Sequence, residues 1–263
     1  MPGFLTVTGQ DVDPASLALD LEAVGPLVID RKTFAGGCAV RFTNPKFLDD
    51  KVFEQDDGVV VALDGVVYNF RELQSRHGCA GYFETVKALY RESGERFFEA
   101  LDGDAAGVLY DKARATCVAF TNHTATKPMF YWRGGGVLVC STDFRVLMQA
   151  LRSLGKRVSL DVFGAYCMIT YGYMLEDVTL ADGVKKLKAG QYLVHSAEGL
   201  TVDDYLRLRN EPAHGATREE VVEVVDHLFA QAVTRQYEKD REYGYDHLAT
   251  LSGGLDSRMN VWV

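Results

Sequence analysis

The chain has no surplus of positive charge. Its 263 residues carry 28 Lys and Arg against 37 Asp and Glu, a net charge of −9. A sequence-independent grip on a nucleic-acid backbone is disfavoured, because such a grip needs many basic side chains and no run of Lys or Arg supplies them. Long apolar runs are also missing. Stretches such as Val59-Val60-Val61-Ala62-Leu63 fall far short of the roughly 20 residues that cross a bilayer. No basic region followed by an apolar block opens the chain, so no signal peptide is expected. The five cysteines (Cys38, Cys79, Cys117, Cys140, Cys167) are odd in number, scattered and without CxxC spacing. That argues against zinc and favours reduced thiols in a cytoplasmic protein. Cys38, Cys117 and Cys140 lie in strand-like segments and are expected as small core residues.

What remains is ordinary soluble-protein material, 47% apolar and 25% charged, long enough for one large or two modest domains. Residues 4–70 read mostly as strands and turns. Asp64-Gly65 falls between Gly58–Leu63 and Val66–Tyr68, two apolar runs, which predicts a hairpin turn. Tyr82–Ser93 reads as a helix with Phe83, Val86, Leu89 and Tyr90 on one face and Gly94 as its stop. Phe70–His77 and a piece containing Phe97, Phe98 and Leu101 are further helical candidates. Four short strands follow: Ala105–Asp111, Thr116–Thr121, Pro128–Trp132 and Val137–Cys140. Helices are then expected over Phe144–Leu154 and Val162–Tyr171. Lys185–Ser196 and Gly199–Tyr205 should form a closing hairpin. The order is not a strict βα alternation, so the reading is an α+β layered domain with mainly antiparallel sheets.

The polar stretch 209–215, with Pro212 and Gly215, reads as a linker between domains at 1–208 and 209–263. Thr217-Arg218-Glu219-Glu220 has the form of a capping box. Val221, Val224, Val225, Leu228 and Val233 give a helical stripe through about Tyr237. Glu238–Glu242 should be a solvated helix end. A strand-like run, Asp246–Thr250, then leads into Leu251-Ser252-Gly253-Gly254-Leu255-Asp256-Ser257 and a helix. Small residues at such a turn let several backbone N–H groups converge, a cradle for phosphate oxygens. Ser252 and Ser257 add hydroxyl donors, and Asp256 is suited to Mg²⁺. A lone parallel strand cannot bury its faces. This piece is therefore expected either to belong to a longer protein or to dock onto something.

The string Ser252-Gly253-Gly254-Leu255-Asp256-Ser257 resembles the pyrophosphate-binding loop of the ATP pyrophosphatase families, among them asparagine synthetase and β-lactam synthetase. Arg258 follows where asparagine synthetases usually have a second small hydroxyl residue. Further upstream, Ala62–Leu73 resembles the Asn-Gly-Glu-Ile-Tyr-Asn block of class II glutamine amidotransferases. Leu101–Asp111, Lys127-Pro128-Met129-Phe130-Tyr131, Ser141–Leu147 and Val184–Tyr192 are similar to later blocks of that family in order and spacing. The resemblance implies a four-layer αββα amidotransferase domain followed by the first helix and strand of a doubly wound ATP pyrophosphatase domain. It also implies ATP and Mg²⁺, a carboxylate substrate activated as an acyl-adenylate, and ammonia or an amine as nitrogen source. Family members often dimerise through the first domain, which makes a homodimer an open expectation; neither nucleic acid nor membrane is implied.

Several family residues are replaced. The glutaminase reaction needs an N-terminal Cys as nucleophile, and Pro2 stands there. The oxyanion-hole Asn aligns with Asp64, a carboxylate that would repel the developing charge, while Gly65 keeps its place. The family's substrate-gripping Asp aligns near Tyr82 and is absent. Arg41 is the candidate for the arginine that holds the glutamine carboxylate. These replacements predict a degenerate glutamine site. Two function classes follow: an ATP-dependent amide-forming ligase with an inactive glutaminase domain, or a non-catalytic amidotransferase-like scaffold for dimerisation, docking or regulation.

Overall fold

A computed structural model describes residues 3–9, 12–21, 26–211 and 215–262. The chain forms two compact units, residues 1–207 and 208–263. In the first, the strands are β1 (Gly3–Thr8), β2 (Val28–Phe34), β3 (Gly37–Thr43), β4 (Phe53–Gln55) and β5 (Val59–Val67). Helices α1 (Phe70–His77) and α2 (Tyr82–Ser93) follow, then β6 (Gly103–Asp111), β7 (Thr116–Thr121), β8 (Phe130–Gly134) and β9 (Val137–Ser141). The unit closes with α3 (Phe144–Ser153), α4 (Val162–Tyr171), β10 (Val184–Lys186), β11 (Gln191–Ser196) and β12 (Gly199–Asp204).

These strands make two antiparallel sheets, ordered β10-β8-β9-β1-β3-β2 and β12-β11-β7-β6-β5-β4. Alternation along each strand sends side chains to opposite faces, and the buried clusters show the consequence. Phe4, Ala62, Val108, Leu138 and Leu193 meet between the sheets. Val61, Leu63, Leu109 and Phe120 turn the other way, onto Phe70, Leu73, Val86 and Leu89 of α1 and α2. Leu5, Val7 and Val40 pack on Leu147 and Leu151 of α3. The layers therefore run helix, sheet, sheet, helix, as the αββα expectation required. Burying a Phe or Leu completely contributes roughly 1.5–3 kcal/mol, and β5, buried on both faces over most of its length, is the densest source of such contacts.

Local signals fix the helix ends. Asp143 accepts hydrogen bonds from the Arg145 and Val146 amides, capping α3. Asp161 does the same for Gly164 at the start of α4. Gly78 and Gly172 take left-handed conformations that close α1 and α4.

Two expectations about this unit are corrected. Asp64-Gly65 is not a hairpin turn: β5 runs straight through it, with Asp64 opposite Ala106 and Gly65 opposite Ala105 on β6. The closing hairpin is β11–β12 alone, and residues 187–190 break the earlier part away so that β10 joins the other sheet. The piece around Phe97 and Phe98 is a 3-10 helix, Gly94–Ala100.

The second unit contains α5 (Arg218–Glu242) and α6 (Leu255–Trp262). Thr217 and Glu220 form the reciprocal capping box at the start of α5. The strand expected over Asp246–Thr250 is absent; the segment has no regular secondary structure and is exposed. A parallel strand without neighbours has nowhere to send its backbone hydrogen bonds. The end of α5 is not a fully solvated run either. Lys239 is buried, donates to Glu242 at 3.1 Å and lies over the Tyr243 ring. The apolar stripe of Val221, Val224, Val225 and Leu228 is exposed.

Candidate functional site

The inter-sheet layer is apolar at its middle and polar at the end where β1 begins. Phe4 on β1 stands opposite Arg41 on β3. Its amide donates to the Thr142 hydroxyl at 3.1 Å, and its carbonyl accepts from the Ser141 hydroxyl at 2.8 Å. Because Ala39 faces the opposing sheet, Arg41 and Thr43, two and four residues on, face it too. On β5 the same logic applies: Val60 and Ala62 face the gap, so Asp64 does as well. Strand alternation thus aims an arginine, a threonine and an aspartate at one another.

Asp64 is 1% exposed. Its Oδ1 accepts from the Thr43 hydroxyl at 2.8 Å and its Oδ2 from the Lys127 ammonium at 2.9 Å. A buried carboxylate is costly unless paired and hydrogen-bonded, and both conditions are met here. Lys51, 4% exposed, reaches the same cluster and donates to the Asn44 carbonyl and side-chain oxygen at 3.0 and 2.7 Å. Burial pushes its ammonium down to about 8; the negative charges of Asp64 and Asp50 act against that shift, and the positive charges of Lys127 and Arg41 reinforce it. Asp50 accepts from the Val67 amide at 2.7 Å. Arg41 contacts the Lys51 carbonyl at 3.4 Å and Asp30 at 3.5 Å, with its guanidinium over the Phe53 ring.

Gly65 is needed for this geometry. Its φ is +137°, and a Cβ there would lie 2.0 Å from the Asp104 carbonyl oxygen. Beside it, Asp104 accepts from Tyr68 and Thr126, and Asn122 donates to Thr126 at 2.8 Å. Asn69, just before α1, donates to the Ala100 carbonyl at the end of the 3-10 helix and accepts from the Asp102 amide just ahead of β6.

Of the residues expected at a glutamine site, the structure brings Arg41 and Asp64 into one polar cluster, with Gly65 in the strand beside them. Pro2 lies outside the described residues. Sequence reading missed Lys51, Thr43, Asp50 and Asp104, and it placed Lys127 only as part of a family block. The available signal was Asp64 itself: an acidic residue inside an apolar strand demands a cation from elsewhere. Chemically, the cluster sets the cations Arg41, Lys51 and Lys127 around a buried carboxylate. An ionised carboxylate accepts hydrogen bonds and donates none.

The second candidate site lies in the other unit. Ser252, Gly253, Gly254 and Asp256 are exposed and Ser257 is half-buried. The two serine hydroxyls lie 2.9 Å apart; Ser257 accepts from the Ser252 amide and Ser252 from the Gly254 amide. Arg258 donates to the Gly253 carbonyl at 3.3 Å. Leu255 begins α6, so the loop sits on a helix N-terminus as expected.

Among the described residues no helix is long and apolar enough to cross a membrane. The fold is shared with the allosteric regulatory enzyme of purine biosynthesis, whose solved structure aligns with a TM-score of 0.50 at 12% identity, over 79% of this chain and 50% of that one. Asparagine synthetase B of Escherichia coli is 26% identical over 110 residues, 39% of this chain and 20% of the relative. Asparagine synthetase 2 of rice is 29% identical over 110 residues, 40% of this chain and 19% of the relative. A Mycobacterium tuberculosis protein, provisionally named for the same activity, is 24% identical over 216 residues, 78% of this chain and 32% of the relative. The chain thus spans a third or less of the length of these curated relatives. Residues 49–206 match the glutamine amidotransferase domain model: the larger unit is an asparagine synthetase-like amidotransferase domain, and the chain belongs to the glutamine amidotransferase domain family.

Proposed function

We propose that this domain no longer hydrolyses glutamine and serves as the front part of an ATP-dependent, amide-forming ligase of the asparagine synthetase type. The observation that carries the first half is the Asp64 carboxylate, buried between the sheets and held by Thr43 and Lys127. In the family resemblance that position belongs to an amide that donates to the oxyanion. A carboxylate clamped by a lysine offers the opposite charge and no donor. Pro2, in place of the nucleophilic thiol, supports the same reading.

The second half rests on the loop Ser252–Ser257. Its hydroxyls and helix-start amides suit pyrophosphate oxygens. Asp256 fits Mg²⁺, a hard cation that takes oxygen donors. One carboxylate is enough where substrate phosphates and waters complete the shell, and among the described residues no cluster of three or more ligating side chains offers an all-protein cage. When bound, the metal would neutralise charge on the leaving pyrophosphate. Nitrogen then comes from ammonia or an amine, and the acceptor carboxylate is activated as an acyl-adenylate. A scaffold reading draws on a different observation, the exposed Phe163, Tyr166 and Ile169 of α4, an apolar face suited to docking.

The test uses the full-length protein. Incubated with glutamine, it should release no glutamate above background, with or without ATP. With ATP, Mg²⁺, ammonia and a panel of carboxylates including aspartate, it should release pyrophosphate. Glutamate production would overturn the first half; silence across the carboxylate panel would leave the scaffold reading.

A further inference from the structure

The opposite end of the inter-sheet layer also turns polar. There a cavity of about 450 Å³ opens where β1 ends, the far end of the strand from Phe4 and Arg41. Strand alternation sends four side chains into it. On β1, Phe4 faces the gap, and so does Thr8; on β6, Tyr110 does. On β8, Tyr131 sets the phase for Arg133, and on β11, Leu193 sets it for His195. Ser196 and the glycines of two turns, Gly36 and Gly136, complete the rim.

Two properties separate this cavity from a simple gap between sheet edges. It is basic, with Arg133 as the charged side chain of its wall and the His195 imidazole beside it. Among the described residues no carboxylate lines it, in a protein whose net charge is −9. Thr8 is 4% exposed; its hydroxyl is sealed from the cavity and approaches the Cys117 thiol.

We propose that this cavity binds the phosphate group of a small metabolite. Arg133 supplies the planar fork that suits a phosphate. Ser196 and Tyr110 offer hydroxyl donors. Ser196 accepts from the Glu198 amide at 3.2 Å, which leaves its own proton to donate. Burial and the Arg133 charge hold the His195 imidazole below its ordinary range, a bias that a bound anion would offset. The volume is in the range of small-ligand sites. The site lies apart from the Asp64 cluster and does not depend on how that cluster is read.

The experiment follows the His195 ring resonances of the 263-residue chain by NMR, assigned with His195→Gln. Inorganic phosphate and glycerol phosphate are titrated against sodium chloride at matched ionic strength. Both should shift His195 saturably, the ester more tightly if the cavity reads the metabolite beyond its head. Arg133→Gln, an exposed position, should weaken binding about ten-fold, as expected for losing one charge-assisted contact. A chloride response equal to that of phosphate would overturn the proposal. So would an unchanged phosphate affinity in Arg133→Gln.

Discussion

Lys127 reaches Asp64 at 2.9 Å from the connection between β7 and β8, so two segments 63 residues apart in sequence close one charge pair between the sheets. The carboxylate is 2% exposed and the lysine side chain 30%. This asymmetry decides what each deletion does. Removing the buried partner frees a cation that can still turn to water, whereas removing the lysine leaves a buried anion with Thr43 as its remaining direct contact.

The first prediction follows. Asp64→Asn should lower stability by about 1–3 kcal/mol, and Lys127→Met by more, because an uncompensated buried charge is the costlier remnant. The double variant should recover part of the loss. Urea unfolding of the four proteins, read as a double-mutant cycle, measures the coupling. A coupling near zero would mean the pair is incidental.

Lys51 gives a pH signature. Its ammonium is held down to about 8 in the folded protein, below the 10.5 of an ordinary lysine. Below pH 8 both states carry the proton, and the folded state bears the full cost of burying the charge. Between pH 8 and 10.5 the unfolded chain binds more protons, so stability rises with pH, by at most about 1.4 kcal/mol per pH unit. The buried thiols Cys38 and Cys117 are pushed up to about 11 and 12 and act in the opposite direction above pH 9. The contribution is therefore read as the difference between wild type and Lys51→Met across pH 7 to 10. A flat difference would remove Lys51 from the cluster's electrostatics.

Gly65→Ala should destabilise the domain by about 3 kcal/mol or more, from the combined cost of a positive φ and a backbone clash. The added methyl would sit 2.0 Å from the Asp104 carbonyl oxygen. Hydrogen exchange should show the loss first in the Val66–Asp104 and Val67–Gly103 pairs. An alanine variant as stable as wild type would contradict the straight course of β5.

Thiol reactivity should divide the cysteines. All five are free, and Cys79 is half-buried while Cys38, Cys117, Cys140 and Cys167 are buried. Burial raises the Cys38, Cys117 and Cys140 thiols, which suppresses thiolate formation. In native buffer a thiol reagent should modify one group rapidly, lost in Cys79→Ser, and five in denaturant.

Much of the fold could be read directly. Tyr82–Ser93 showed its face and its glycine stop, and Thr217 and Glu220 announced their capping box. Asp64-Gly65 misled because a dipeptide reports only local preference. The same positive φ that builds a hairpin here lets a strand pass close under Asp104, and only the pairing with β6 distinguishes the two. Asp246–Thr250 misled for a related reason: strand propensity cannot substitute for a neighbouring strand. Lys51 and Lys127 stayed hidden because the sheets, not the sequence order, bring them to Asp64. The cavity at the end of β1 was likewise invisible, since the side chains that turn into it come from four strands.

Strand β1 sits in the middle of its sheet, between β3 and β9, and the Ser141 hydroxyl that grips Phe4 is 137 residues away. During translation, Phe4, Leu5 and Val7 leave the ribosome long before β9 exists to cover them. At the usual pace of synthesis that wait lasts roughly 7–30 s. Until then the nascent chain carries an apolar ribbon with an open edge, a target for chaperones and for aggregation.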